Sequence, residues 1–361
     1  MKKYLSLLSI LLIIDTKIAQ NNPEVLWAIQ LDEQIIIPPV YQSHNFFIIT
    51  KNGLVICLNK NGEEKWRHDL NEQIFNPPVV EKDLIFIATE DGDIISLNAN
   101  TGDTYQVIGI GEPITSGLII FDVESGSINT KGIIAGTEFG NIYCYDVSTF
   151  ESIWTNQVSD TSIISPNVSS DHQIFFMDGK RNLYCVSADN GLLTWKITAE
   201  EFGWKTIDQF FRSDIVLSGY NIYLTDSSGK LFCIDAMLGT INWSIKNIFS
   251  NGIIRLNDKN ELVLPTSKNK IVIVSPSQQK VIKEIELPIE LKNESITDLI
   301  AIDENIIAGF TNGMVYQMDS KGKAELIFSG TSSIVSLLNV DGNCLVTEQT
   351  GKISLLSISN L

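Results

Sequence analysis

One phrase constrains this chain more than any other feature: an apolar strand, a polar turn tipped by glycine, and a second apolar strand, written eight times. Phe47-Ile-Ile-Thr-Lys-Asn-Gly-Leu-Val-Ile-Cys57, Phe86-Ile-Ala-Thr-Glu-Asp-Gly-Asp-Ile-Ile-Ser96 and Tyr223-Leu-Thr-Asp-Ser-Ser-Gly-Lys-Leu-Phe-Cys233 are three of the copies. Aligned on the turn, the copies fall at Gly53, Gly92, Gly140, Arg181, Gly229, Asn269, Gly313 and Gly351, 38 to 48 residues apart with a mean of about 43. That period belongs to repeat architectures built from four-stranded blades. Glycine dominates the turn for a local reason: a tight hairpin needs positive φ, which Gly and Asn adopt at least cost.

A second punctuation follows each hairpin, at Asn61-Gly62, Thr101-Gly102, Asn190-Gly191, Leu238-Gly239 and Lys321-Gly322, and turns the chain into a further strand. An aromatic stands 13 or 14 residues after the first turn in five copies, as Trp66, Tyr105, Trp154, Trp195 and Trp243, while Lys283 and Leu326 occupy the corresponding places in copies six and seven. Apolar stretches such as Pro77-Pro-Val-Val80 precede the hairpins, so each copy supplies four strands. The last copy stops at Leu361 before its fourth strand, and Val25-Leu-Trp-Ala-Ile-Gln-Leu31 reads as that strand displaced to the other end. The fold expected is all-β: an eight-bladed β-propeller of four-stranded antiparallel blades, closed by the N-terminal strand completing the last blade. Ala199 to Ser213 reads as the one stretch able to hold a helix, and Phe121 to Lys131 as a flexible turn.

The wording of the blades resembles the PQQ-repeat, or quinoprotein-like, family of propellers. Gly92-Asp-Ile-Ile-Ser-Leu-Asn-Ala-Asn-Thr-Gly102, Asn182-Leu-Tyr-Cys-Val-Ser-Ala-Asp-Asn-Gly-Leu-Leu-Thr-Trp195 and Lys230-Leu-Phe-Cys-Ile-Asp-Ala-Met-Leu-Gly-Thr-Ile-Asn-Trp243 carry the likeness. The resemblance implies that these tryptophans dock onto the neighbouring blade. Among short members with a leader, the chain is similar to the propeller subunit of the outer-membrane β-barrel assembly machinery. That likeness implies protein partners: the barrel subunit of the machinery and unfolded outer-membrane proteins guided by strand addition.

Met1-Lys2-Lys3 and the apolar run Leu5 to Ile14 form a basic region and a core suited to a cleaved signal peptide, residues 1–20, and too short to span a bilayer. Residues 21–361 are then a single propeller domain, exported to the periplasm, the outer membrane or beyond. No Cys lies near the cleavage point to carry a lipid. A formal charge of −17 argues against a nucleic-acid partner. No later stretch is apolar enough to be transmembrane, and a monomer is expected.

Catalytic chemistry finds little support. Cys57, Cys144, Cys185 and Cys233 each stand four residues after the hairpin turn, where other copies place Ser96, Ile273, Gln317 and Leu355. They read as one strand-interior position used four times, not as a redox or metal cluster. His44, His68 and His172 are scattered beside no candidate nucleophile. No catalytic, cofactor-binding or metal-binding residue is assigned, and the chain reads as a non-enzymatic scaffold. A small PQQ-dependent oxidoreductase and a secreted ligand-binding or sensory propeller stay open as alternatives. The departure that attracts a functional reading is Ala199 to Arg212, an insertion between copies four and five. Phe202, Trp204, Phe210, Phe211 and Arg212 have the composition of a partner-binding hot spot.

Overall fold

The computed structural model describes residues 23–125, 128–168, 172–302, 304–319 and 321–358. The signal peptide expected at 1–20 lies outside them. Thirty-two strands form eight four-stranded antiparallel sheets. Seven sheets are consecutive in sequence, and the eighth joins Val25–Gln30 to the three C-terminal strands. Its register runs from Val25 opposite Leu356 to Gln30 opposite Lys352. The expected closed propeller is the fold observed.

The pattern of side chains in each blade follows from its place between two neighbours. Middle strands such as Asn45–Ile49 and Leu54–Asn59 bury nearly every residue, because both of their faces meet another blade. Outer strands such as Glu64–Asp69 bury one residue, Trp66, and leave most of the rest to water. The apolar core is accordingly divided into eight packets, each built from two adjacent blades. Packing at each joint, not one central volume, holds the ring.

Three recurrent devices fix the turns. All eight aligned turn residues have positive φ, including Arg181 at 70° and Asn269 at 60°. Three residues earlier, a side-chain oxygen caps the hairpin. Thr50, Thr89, Thr137, Asp178 and Asp226 accept from the amides of Leu54, Asp93, Asn141, Asn182 and Lys230 at 2.9–3.3 Å. The carbonyl of the turn residue then accepts the amide that opens the connection to the next blade, as in Leu70 to Gly53 at 3.0 Å and Leu31 to Gly351 at 2.9 Å. Hairpins and interblade connections therefore share one face of the ring.

Indoles lock the joints at the opposite end. The residue paired with the fourth position after the hairpin is Trp27, Trp66, Trp154, Trp195 or Trp243 in five blades. Four of these donate to carbonyls in the next blade's turn: Lys60, Ala99, Ala188 and Ala236, at 2.9–3.0 Å. The turn glycine receives the ring. A Cβ on Gly62 would lie 2.6 Å from Trp27, and one on Gly239 would lie 2.6 Å from Trp195.

Three readings of the sequence are corrected. Tyr105 does not hold the indole position: Gln106 stands opposite Ser96, and Tyr105, 60% exposed, sets its ring 5.7 Å from Phe150 of the next blade. Within Phe121 to Lys131 the described residues are paired strands and no loose turn, with Val123 opposite Thr130 and Ser125 opposite Ile128. Ala199 to Ser213 contains turns and an isolated bridge, not a helix.

Candidate partner-docking face

The insertion after blade four sits on the hairpin face and is pinned from both sides. Glu201 accepts from the Thr198 amide and hydroxyl at 2.7 and 2.8 Å, and these bonds hold its carboxyl below the usual range. Arg181 occupies the hairpin position that glycine holds in six other blades, and its guanidinium donates to the carbonyls of Thr206 and Gln209 at 2.8 and 2.7 Å. Further along, the Arg212 amide donates to the Thr225 carbonyl at 2.8 Å, returning the chain to blade five.

The five aromatic and basic residues singled out in the sequence have separate fates. Phe202 and Trp204 are 3% and 5% exposed and belong to the core packet between blades four and five. Their rings lie 5.1 Å apart, with Phe211 at 4.9 and 4.6 Å. The Trp204 ring nitrogen donates to buried Asp226 at 2.9 Å, which removes its last polar demand. These two rings offer a partner no surface. The physical reason is that a 14-residue excursion must bury apolar area of its own to stay ordered. Phe210, 43% exposed, and Arg212 remain on the surface, and Phe211 is half-buried.

Ile207, 83% exposed at the tip of the insertion, is the residue that sequence reasoning passed over. The available signal was a lone apolar residue in the polar run Lys205 to Gln209, outside any repeat position. Blades three and four expose apolar residues of their own. Phe139 tips the hairpin of blade three and Ile164 enters blade four, both exposed. Beside the insertion opens a recess of about 530 Å³ bounded by Lys180, Arg181, Glu200, Trp204, Lys205 and Ile207, three cations to one carboxylate. Lys180 pairs with Asp160, which lowers the Asp160 pKa. An apolar rim with a cationic recess on an otherwise acidic chain is the composition of a protein-recognition surface.

The chemistry expected of a quinone cofactor does not fit these residues. Most buried carboxylates are engaged by the fold itself; Glu348 keeps Oε1 without a hydrogen-bond partner, 3.7 Å from the Lys352 ammonium. Asp178 accepts from Ser159, Tyr184 and the Asn182 amide, and Asp298 from Arg255 and the Leu337 amide. All five cysteines are free and buried, and burial pushes their thiols up to about 11 for Cys57 and Cys233 and about 12 for Cys144, Cys185 and Cys344. Thiols held in that range are poor nucleophiles at neutral pH.

A family profile described as outer membrane protein assembly factor BamB matches residues 14–245 and 140–359. The chain belongs to that family. Among solved structures it is similar to BamB from Moraxella catarrhalis, with a TM-score of 0.72 and 14% identity over 93% of this chain and 100% of that one. Sqt1 from Saccharomyces cerevisiae gives a TM-score of 0.75 at 13% identity, covering 94% and 99%. The quinohemoprotein alcohol dehydrogenase ADHIIG from Pseudomonas putida HK5 gives 0.67 at 11%, covering 94% of this chain and 76% of that one. Identities this low report the propeller fold, shared by proteins of unrelated roles. No curated protein sequence matches this chain. Among the described residues, no helix is long and apolar enough to cross a membrane.

Proposed function

We propose that this protein is a non-enzymatic scaffold that docks protein partners on its hairpin face and serves outer-membrane β-barrel assembly. On this reading it works in the periplasm, against the outer membrane. The observation that carries the reading is a set of four exposed apolar side chains, Phe139, Ile164, Ile207 and Phe210, on blades three and four and the insertion that follows, with Ile207 at the edge of the recess. Membership of the BamB family supports the choice of partner, the barrel subunit of the machinery. Ile207 and Phe210 are the anchors, because both are exposed on an element pinned by Arg181 and so cost little entropy to present.

The test is capture of the barrel subunit from solubilised envelope membranes. Ile207→Asp with Phe210→Asp should reduce capture at least tenfold, a change of about 1.4 kcal/mol. The thermal midpoint should stay within a few degrees of the parent, because neither side chain is buried. Undiminished capture by the double variant would remove this face from the reading. Reproducible failure of the parent protein to capture the barrel subunit would remove the partner.

A further inference from the structure

The joint between blades six and seven keeps the seat for an indole and lacks the indole. Lys283 pairs with Ile273, the register that holds tryptophan in five other blades. Across the joint, the receiving glycine is still there. Gly322 has φ of 87°, and the nearest atom to a Cβ placed on it is Ile285 Cγ2 at 3.7 Å, in contrast to the 2.6 Å at Gly62 beneath Trp27. A cavity of about 290 Å³ occupies the site, with Val263, Ile273, Ile285 and Ile306 as its apolar part and Lys283 and Asp319 among its polar groups. Val263 and Ile273 stand where Phe47 and Cys57 underlie Trp66, which places the cavity in the indole seat.

The joint between blades two and three shows what happens when the seat is given up. There Gln106 replaces the tryptophan, and Phe150, with φ of 62°, replaces the glycine. Phe150 folds back against Phe86 with ring centroids 6.2 Å apart, so a ring is returned to the joint from the other side. A recess of about 610 Å³ opens at that joint too, lined by Tyr105 and Val147, but among the described residues only the joint at Gly322 keeps the receiving glycine with no ring against it.

We infer that this joint is a binding slot for a tryptophan side chain supplied in trans by a polypeptide. Shape and chemistry both follow from the occupied seats: a flat apolar floor, a glycine that admits the ring, and polar groups at the edge for the ring N–H. The Lys283 stem can lie along the ring, with its ammonium over the π face. A polypeptide source is favoured over a free indole because the adjoining outer strand Lys280–Glu286 has a sheet neighbour on one side only, leaving backbone donors and acceptors beside the slot. The slot lies at the opposite end of the blades from the hairpins, so its test is independent of the docking face.

The experiment follows isoleucine methyl resonances of the full chain during titration with N-acetyltryptophanamide, the blocked pentapeptide Thr-Val-Trp-Val-Thr, free indole and N-acetylleucinamide. Both tryptophan probes should shift Ile273, Ile285 and Ile306, with the pentapeptide binding more tightly than free indole, and N-acetylleucinamide should leave these signals unmoved. Lys283→Trp should fill the seat from within, raising the thermal midpoint and abolishing the shifts. Absence of shifts, equal shifts with the leucine probe, or shifts that persist in Lys283→Trp would overturn the slot. A destabilised Lys283→Trp would show that the cavity is not indole-shaped, and tighter binding of free indole than of the pentapeptide would overturn the polypeptide source.

Discussion

Trp204 is one of six tryptophans, and the other five all stand at blade joints. It works as they do, burying a ring between two blades and satisfying its nitrogen on the far side, but from an insertion instead of a strand. Trp204→Ala should cost about 3–5 kcal/mol by the combined loss of transfer energy and packing. Trp204→Phe keeps most of the ring and forfeits the bond to Asp226, for a cost nearer 1–2 kcal/mol. Urea unfolding checks both, and equal midpoints for parent and alanine variant would show that the insertion contributes nothing to the core. Arg181 illustrates the complementary case. A side chain in the left-handed region is disfavoured by about 1 kcal/mol or more, and here two charge-assisted bonds to the insertion hold it there.

The strand-to-strand turn at the indole end is the element whose chemistry is most regular. Asn59, Asn98, Asp146, Asp235 and Asp319 each accept backbone amides from the turn that follows them. At Asp146 burial would raise the pKa, but bonds from Ser148, Thr130 and the Thr149 amide outweigh it and bring the carboxyl from 3.8 to about 2. A carboxyl depressed on folding stabilises the native state above its unfolded pKa, and that contribution is lost as pH falls through the folded one. The window here is pH 4 down to 2. Asp146→Asn keeps the amide acceptor that Asn59 and Asn98 use, so the variant should fold normally at pH 7. Its stability should fall less steeply than the parent's between pH 4 and 2, as urea midpoints at stepped pH would show; parallel slopes would remove Asp146 from the acid response. These turns were legible in sequence because an Asn or Asp and a following Gly act locally. Tyr105 was misplaced because the distance from the hairpin to the indole position is 13 residues in blade one and 14 in blades two to five, and an offset of one residue selects a different side chain. The insertion was legible as an exception and not as a structure. Its aromatics are buried by Phe232 and Asp226, partners more than twenty residues away, which composition alone does not reveal.

At the scale of the ring, stability rests on eight joints of similar construction, and the one between blades eight and one is made from both ends of the chain. Trp27 closes it, lying against Phe46 at 5.4 Å and donating to the Lys60 carbonyl at 3.0 Å. A chain beginning at Asp32 lacks that strand and leaves Lys352–Ser357 with an open edge. Its thermal midpoint should drop markedly and its tendency to associate should rise, since an unpaired edge recruits other strands. A synthetic Glu24–Leu31 peptide should restore part of the midpoint. Unchanged melting of the shortened chain would mean that the seam carries no load.

The same seam sets an order of events during manufacture. Val25–Gln30 can be paired only after Lys352–Ser357 have emerged. Until then the growing chain is an arc, with Val25–Gln30 at one end waiting for a partner more than 300 residues downstream. Each intermediate blade can fold as it appears, but the circle forms in a single late step with the loop-closure cost of the entire chain. An interruption anywhere along synthesis or delivery therefore yields an incomplete arc with two unprotected ends, the form of this molecule most in need of a chaperone.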